Sequence, residues 1–285
     1  MLRVLLQTVV PLAAAVSALG AVAAAGRYAT AALQARDACS IRFAAIECTP
    51  PPGQTRVEFL DEVQYLGDLP DRLRLLQPGL PARLAAGFSR HPWVSQVERV
   101  TISPGRWVRV ELMYRRAALA VRLRHPAGGS GDGPAAVTSD AGNTIAVRVV
   151  DDGGVLLPGS ASATGLPVLD GEDRDPSGPP GTPWGSEHVR AAAALAAFLG
   201  PDLARLRLSE AALQVVGSDL VVRGARVRIL WGRPPGHEAA AEPSASVKRA
   251  RLLEFAAGRE LADSELDLRT STGPRHTSLP GTDHP

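Results

Sequence analysis

Apolar and polar positions alternate most regularly between His91 and Leu123. Val100 and Ile102 alternate with Arg99 and Thr101, and Val108, Val110, Leu112 and Tyr114 alternate with Arg109 and Glu111. A period of two predicts two half-buried strands with one wet face. Ser103-Pro104-Gly105-Arg106 supplies the turn between them, with proline presetting φ and glycine free to take positive φ. Upstream, Leu69, Leu73 and Leu76, then Leu80, Leu84 and Phe88, recur at three- and four-residue spacing, which predicts short helices over residues 69–77 and 80–89, broken by Pro78-Gly79 and Pro81. Residues 57–65 read as a strand. The resulting order is β-α-α-β-β, forming a first domain over residues 55–124, with Trp93 as a core plug where the second strand begins.

The pattern changes after residue 124. The glycine run at residues 128–133 lacks the Lys-Ser/Thr of a phosphate loop and reads as a flexible connection. Residues 145–150 and 155–157 form a hairpin pattern around Asp151-Asp152-Gly153-Gly154, residues 166–169 are a short apolar segment, and residues 171–180 are a solvated loop. A helix is predicted over residues 186–199, with Ser186 as N-cap, Val189, Ala192, Leu195 and Leu199 as its stripe, and Gly200-Pro201 ending it. Short strands follow at residues 204–208 and 212–216, a hairpin at 220–223 and 227–231, a surface helix at 246–257, and a final strand at 265–270, read as a sheet edge. Residues 135–270 thus predict a second, mostly antiparallel β-domain with two helices, and residues 271–285 a disordered tail.

Before both domains, residues 4–26 carry no charge and match the length needed to cross a bilayer. Two readings fit: an uncleaved anchor over residues 1–27, or a signal peptide with a small-residue cleavage site near Ala21-Val22-Ala23. Residues 28–54 form a linker stiffened by Pro50-Pro51-Pro52-Gly53.

Composition narrows the chemistry. With 45% hydrophobic residues in 285, there is material for two cores, and a net charge of +2 gives no footprint for nucleic acid. Lys248 is the single lysine among 31 basic residues. Cys39 and Cys48, without a histidine pattern beside them, do not predict zinc; a small disulfide loop and two free thiols both fit. Asp151 and Asp152 are adjacent and do not converge as an acid/base pair. His91, His125, His188, His237, His276 and His284 fall mostly in loops or tail, and no serine lies in a nucleophile-elbow context. No catalytic residue, metal ligand, cofactor or small-molecule substrate is predicted, and a secreted enzyme is the disfavoured alternative.

The element order, with Pro92-Trp93-Val94 and then Val97 and Arg99, resembles the POTRA domain of the bacterial cell-division protein family FtsQ (DivIB). Further landmarks follow in order: Tyr114-Arg115-Arg116, Val150-Asp151-Asp152-Gly153-Gly154-Val155, Leu166-Pro167, Trp231-Gly232-Arg233 and Asp267-Leu268-Arg269. The chain departs from the family pattern at Tyr114, Ala117 and Thr270. The resemblance implies an α+β protein with an N-terminal transmembrane helix, a POTRA-like domain and an FtsQ-type β-domain, anchored in the inner membrane with its bulk extracytoplasmic, at the septum. It implies a non-enzymatic divisome scaffold that binds partners of the FtsB/FtsL or DivIC kind by strand addition. On that reading Glu265, Leu266, Asp267, Leu268 and Arg269 pair with the partner, and Trp231 and Arg233 line the neighbouring surface. The alternative is an exported POTRA-like adaptor not dedicated to division.

Overall fold

The computed structural model describes residues 17–28, 39–103, 107–126, 138–140, 143–258, 264–270 and 275–278. Helix α1 covers residues 17–28, and no helix among the described residues is long and apolar enough to cross a membrane. Residues 4–16 of the expected span lie outside the described residues, as do Pro104-Gly105 and the glycine run. The chain divides between Tyr114 and Arg115 into two compact units. The strand at Leu119–Pro126, expected to close the first domain at residue 124, belongs to the second unit, where it pairs on both sides.

In the first unit, β1 (Ser40–Arg42) pairs antiparallel with β2 (Arg72–Arg74). The predicted strand at 57–65 is instead helix α2 (Arg56–Gly67). Val57 and Phe59 flanking Glu58 mimic alternation, but Thr55 and Glu58 close a capping box: the Thr55 hydroxyl accepts the Glu58 amide, and the Glu58 carboxylate accepts the Thr55 amide at 2.8 Å. Two orphan amides at the helix start are thereby satisfied, and Phe59, Leu60 and Val63 fall on one buried face. Asp68 ends α2 in the left-handed region at φ 49°. With Pro70 following, the predicted helix at 69–77 is replaced by β2, which buries Leu73 between two exposed arginines.

Helix α3 (Leu80–Phe88) forms as predicted. The hairpin is β3 (Val94–Ser103) and β4 (Trp107–Tyr114), with Val100 opposite Val110 and Ile102 opposite Val108. Glu47 adds a parallel bridge on the far side of β4, donating to Val108 O at 2.8 Å and accepting from Val110 N at 2.9 Å. The observed order is strand, helix, strand, helix, strand, strand, with Glu47 as an isolated bridge, so the expected β-α-α-β-β order is replaced at its first two members.

Phe59 is the aromatic centre of this core, near Phe88, Tyr114 and His91, whose ring meets it edge-on at 4.7 Å. Trp93 is buried. Cys39 and Cys48 are free, half-buried thiols, and burial pushes the Cys48 thiol up to about 11.

His91 is 1% exposed, accepts the Trp93 amide on Nδ1 at 3.3 Å, and therefore holds its proton on Nε2, 2.8 Å from Glu62. Burial holds its pKa below the ordinary histidine value, with Glu62 opposing. The folded state thus prefers the neutral ring, so this contribution to stability is complete above pH about 6.5 and is lost as pH falls through the depressed native value. The stability advantage of the native chain over His91→Gln should accordingly shrink between pH 7.5 and 5, as read by denaturant midpoints. The His91 imidazole should stay neutral below pH 6.5 in an NMR titration; a normal titration would refute the assignment.

The second unit is a mixed sheet with the order β13-β12-β11-β10-β9-β8-β5-β7-β6. Its members are β5 (Leu119–Pro126), β6 (Thr138–Asp140), β7 (Asn143–Val150), β8 (Val168–Glu172), β9 (Ala212–Val216), β10 (Asp219–Arg223), β11 (Val227–Gly232), β12 (Ser264–Asp267) and β13 (Arg275–Ser278). β9, β10 and β11 form an antiparallel meander. Helix α4 (Glu187–Leu199) links β8 to β9, and α5 (Ala245–Gly258) links β11 to β12. A helical crossover returns the chain in the same direction, so β8–β9 and β11–β12 are parallel. β5 and β8 are parallel as well, with β6 and β7 rather than a helix between them in the chain, and these three parallel pairings make the sheet mixed. The strand predicted at 204–208 is a series of turns.

Leu119, Val121, Leu169, Leu213, Ile229 and Leu266 point toward the core that also holds Val189, Leu195 and Leu252 from the helices. Alternation sends Arg122 with Asp170, and Arg228 with Glu265, to the other face, where each pair is joined at 2.7 and 2.8 Å. Ser186 stands at the N-cap of α4, but its hydroxyl donates to Glu172 at 2.7 Å and caps no amide.

Candidate functional site

The residues singled out from the sequence converge where β11 and β12 meet. Leu266 and Leu268 are fully buried, and the Leu268 amide donates to Leu230 O at 3.0 Å. Proline at Leu268 would therefore break the β11–β12 joint rather than probe a surface. The Glu265 carboxylate is held by Arg228 on the neighbouring strand. The Asp267 carboxylate accepts the Arg269 amide at 3.0 Å and its guanidinium at 2.8 and 2.9 Å. Asp219 lies between Arg269, at 3.3 Å, and Arg233, at 3.8 Å. Asp267 first, and then Asp219, push the Arg269 pKa upward, so that its positive charge is held firmly.

Trp231 does not line a surface. Its side chain is fully buried, with Phe198 edge-on at 6.1 Å and the Lys248 ammonium 5.2 Å above the ring. Bulk and hydrophobicity favour this placement, whereas Arg233, the other expected surface residue, is exposed.

Sequence reading missed the partner of Lys248. Its ammonium, fully buried, donates to Glu242 at 2.5 Å, and the same carboxylate accepts the Arg233 amide at 3.0 Å and the Ala239 amide at 3.1 Å. Gly232, at φ 88°, makes the room: a Cβ there would lie 2.0 Å from Glu242 Oε1. Trp231-Gly232-Arg233 is thus the platform of a buried ion pair fastening the loop after β11 to α5. The available signal was the lone lysine in a chain that otherwise uses arginine.

Two other landmarks meet in space. Arg115 Nη1 donates to Asp151 Oδ2 at 2.7 Å, while Asp151 Oδ1 accepts the amides of Gly153 and Val155 at 3.0 and 2.8 Å. Gly154, at φ 75°, would bring a Cβ within 3.1 Å of Arg190 Cα, so glycine alone lets this turn rest on the first turn of α4.

His188 and His237, far apart in sequence, line one 420 Å³ surface pocket with Glu187, Arg190 and Arg233. Arg190 is paired with Glu187, and Arg233 with Asp219. No group of three metal-ligating side chains is assembled among the described residues.

What remains of the candidate edge is main chain. Since the Leu268 amide faces β11, alternation turns the amides and carbonyls of Glu265 and Asp267 the other way. There β13 pairs with β12, with Thr277 opposite Glu265 and Arg275 opposite Asp267. The strand expected to form an open edge is therefore covered by residues 275–278, part of the segment expected to be a disordered tail. Among the described residues, β3 and β4 form a two-stranded sheet. No protein-family model matches the chain, and no curated protein matches it.

Proposed function

We propose that this chain is a non-enzymatic, membrane-anchored scaffold of the bacterial divisome, with its two compact units outside the cytoplasm and its partners, of the FtsB/FtsL or DivIC kind, recruited by strand addition. The observation that carries the reading is the interlocking of the landmark residues. Arg115 holds Asp151, the Gly232–Arg233 main chain holds Glu242, and Arg269 ties Asp267 to Asp219. Four sequence-distant motifs thus contribute to the joints of one domain, which is what a shared architecture requires of them. The side chains at the β12 end are buried or paired within the chain, which leaves main-chain hydrogen bonding as the available mode of recognition there.

A tagged full-length chain, expressed at native level in its host, should gather at mid-cell during constriction. It should co-purify from detergent-solubilised membranes with division proteins. Uniform distribution around the envelope, or release into the medium after N-terminal cleavage, would overturn the proposal.

A further inference from the structure

The covering of β12 by β13 points to a regulated edge, and we infer that the C-terminal strand Arg275–Ser278 is a resident competitor that a partner strand must displace. This inference rests on the divisome reading for the identity of the partner; the competition itself rests on the sheet.

The pairing is antiparallel and four residues long, from Ser264 opposite Ser278 to Asp267 opposite Arg275. The covering strand reads Arg-His-Thr-Ser, so it brings no apolar side chain to a sheet whose neighbouring strand contributes Leu266 and Leu268 to the core. Pro274 precedes it and Pro280 follows it closely in the sequence. Main-chain hydrogen bonds hold such a strand, and each contributes little net because the freed groups bond to water. Tethering does the rest. A covalently attached strand competes at an effective concentration on the order of millimolar. That suffices to blunt edge-to-edge association between copies of the chain, yet yields to a strand that adds apolar contacts.

The chemistry of the displacing strand follows from the register. It must present amides and carbonyls to the main chain of Glu265 and Asp267, as Thr277 and Arg275 do now. It gains over the resident strand by placing an apolar side chain opposite Leu266, the position now held by His276. Partners without such a residue are excluded by the tail.

The test uses the full chain, Thr277→Pro, and a chain ending at Thr270, each carrying a photo-crosslinking benzoylphenylalanine in place of Val247, an exposed position on α5. Hydrogen exchange at the Glu265 and Asp267 amides should be protected in the full chain and accelerate at least tenfold in both variants. Thermal unfolding should stay cooperative in all three. A synthetic peptide of residues 271–285, added to the truncated chain, should restore the protection. In the native host, crosslinking to division proteins, identified by mass spectrometry, should rise several-fold in the truncated chain over the full chain. Equal yields in the two, or unchanged exchange at Glu265 and Asp267, would overturn the competition and leave the divisome reading standing. Absence of any division protein in all three would overturn the divisome reading and the partner identity with it, while the exchange measurement still decides whether the tail covers the edge.

Discussion

Glu242→Gln should lower the stability of the second unit by about 3–5 kcal/mol, the usual cost of leaving one member of a buried ion pair without its counter-charge. The Lys248 side chain is fully buried and that of Glu242 is 7% exposed. Removing the carboxylate's charge strands an ammonium over the Trp231 ring, and the ring's negative face offsets only part of that loss. Glutamine keeps a single carbonyl oxygen, so it can accept from the amide of Arg233 or from that of Ala239 but not from both, and the loss combines the charge with one of the loop's hydrogen bonds. The double variant Glu242→Gln/Lys248→Met should recover most of the deficit, because a buried pair replaced by apolar volume is close to neutral. Urea midpoints for the four proteins of this cycle give the comparison. A Glu242→Gln loss below about 1 kcal/mol, the level of an exposed pair, would show that the pair is solvated.

Asp151→Ala should be nearly as damaging, by about 3–4 kcal/mol, for two separable reasons. It leaves Arg115, only 20% exposed, without its carboxylate, and it strips the acceptor from the Gly153 and Val155 amides that shape the turn. Asp151→Asn retains an acceptor for the two amides but loses the charge and turns an NH2 toward Arg115 where Oδ2 accepted its guanidinium, so roughly half the destabilisation should remain. Chemical denaturation checks the ranking. Equal losses for alanine and asparagine would assign the whole effect to the ion pair, and a harmless asparagine would assign it to the turn.

The hairpin, α3, α4 and the meander were legible in the sequence because each expresses one period and is bounded by glycine or proline; α5 was legible from its Gly258 stop, but its expected surface placement gave way to a buried Lys248 and Leu252. Where two signals competed, the shorter-range one misled. Val57-Glu58-Phe59 looks alternating, but a capping box fixes helical geometry before the side-chain period can be read. Leu69, Leu73 and Leu76 have helical spacing, yet Asp68 and Pro70 place that segment outside any helix. The parallel pairings were invisible, because a short apolar run such as residues 166–169 does not encode the direction of its neighbour. At the candidate site, Trp231 and Arg233 were expected to line a surface, and the structure buries Trp231 while leaving Arg233 exposed. Motif order marks positions that matter but does not distinguish an interface from a buried joint. Glu242 was missed because a carboxylate in a polar loop looks solvated until its cation is located.

The two crossovers also set an order in time. β9, β10 and β11 are joined by tight connections and can pair as soon as they are exposed as a chain, whereas β8 with β9, and β11 with β12, must wait for α4 and α5 to be complete. During synthesis the antiparallel β6–β7 pair and then the meander are therefore local centres from which the sheet is completed. The last pairing to close is β12 with β13, at the C-terminal limit of the sheet, so a newly made chain passes through a stage in which the β12 edge is formed and not yet covered. In that interval the main chain of Glu265 and Asp267 is open on its outer side, the state that a chain ending at Thr270 would keep permanently.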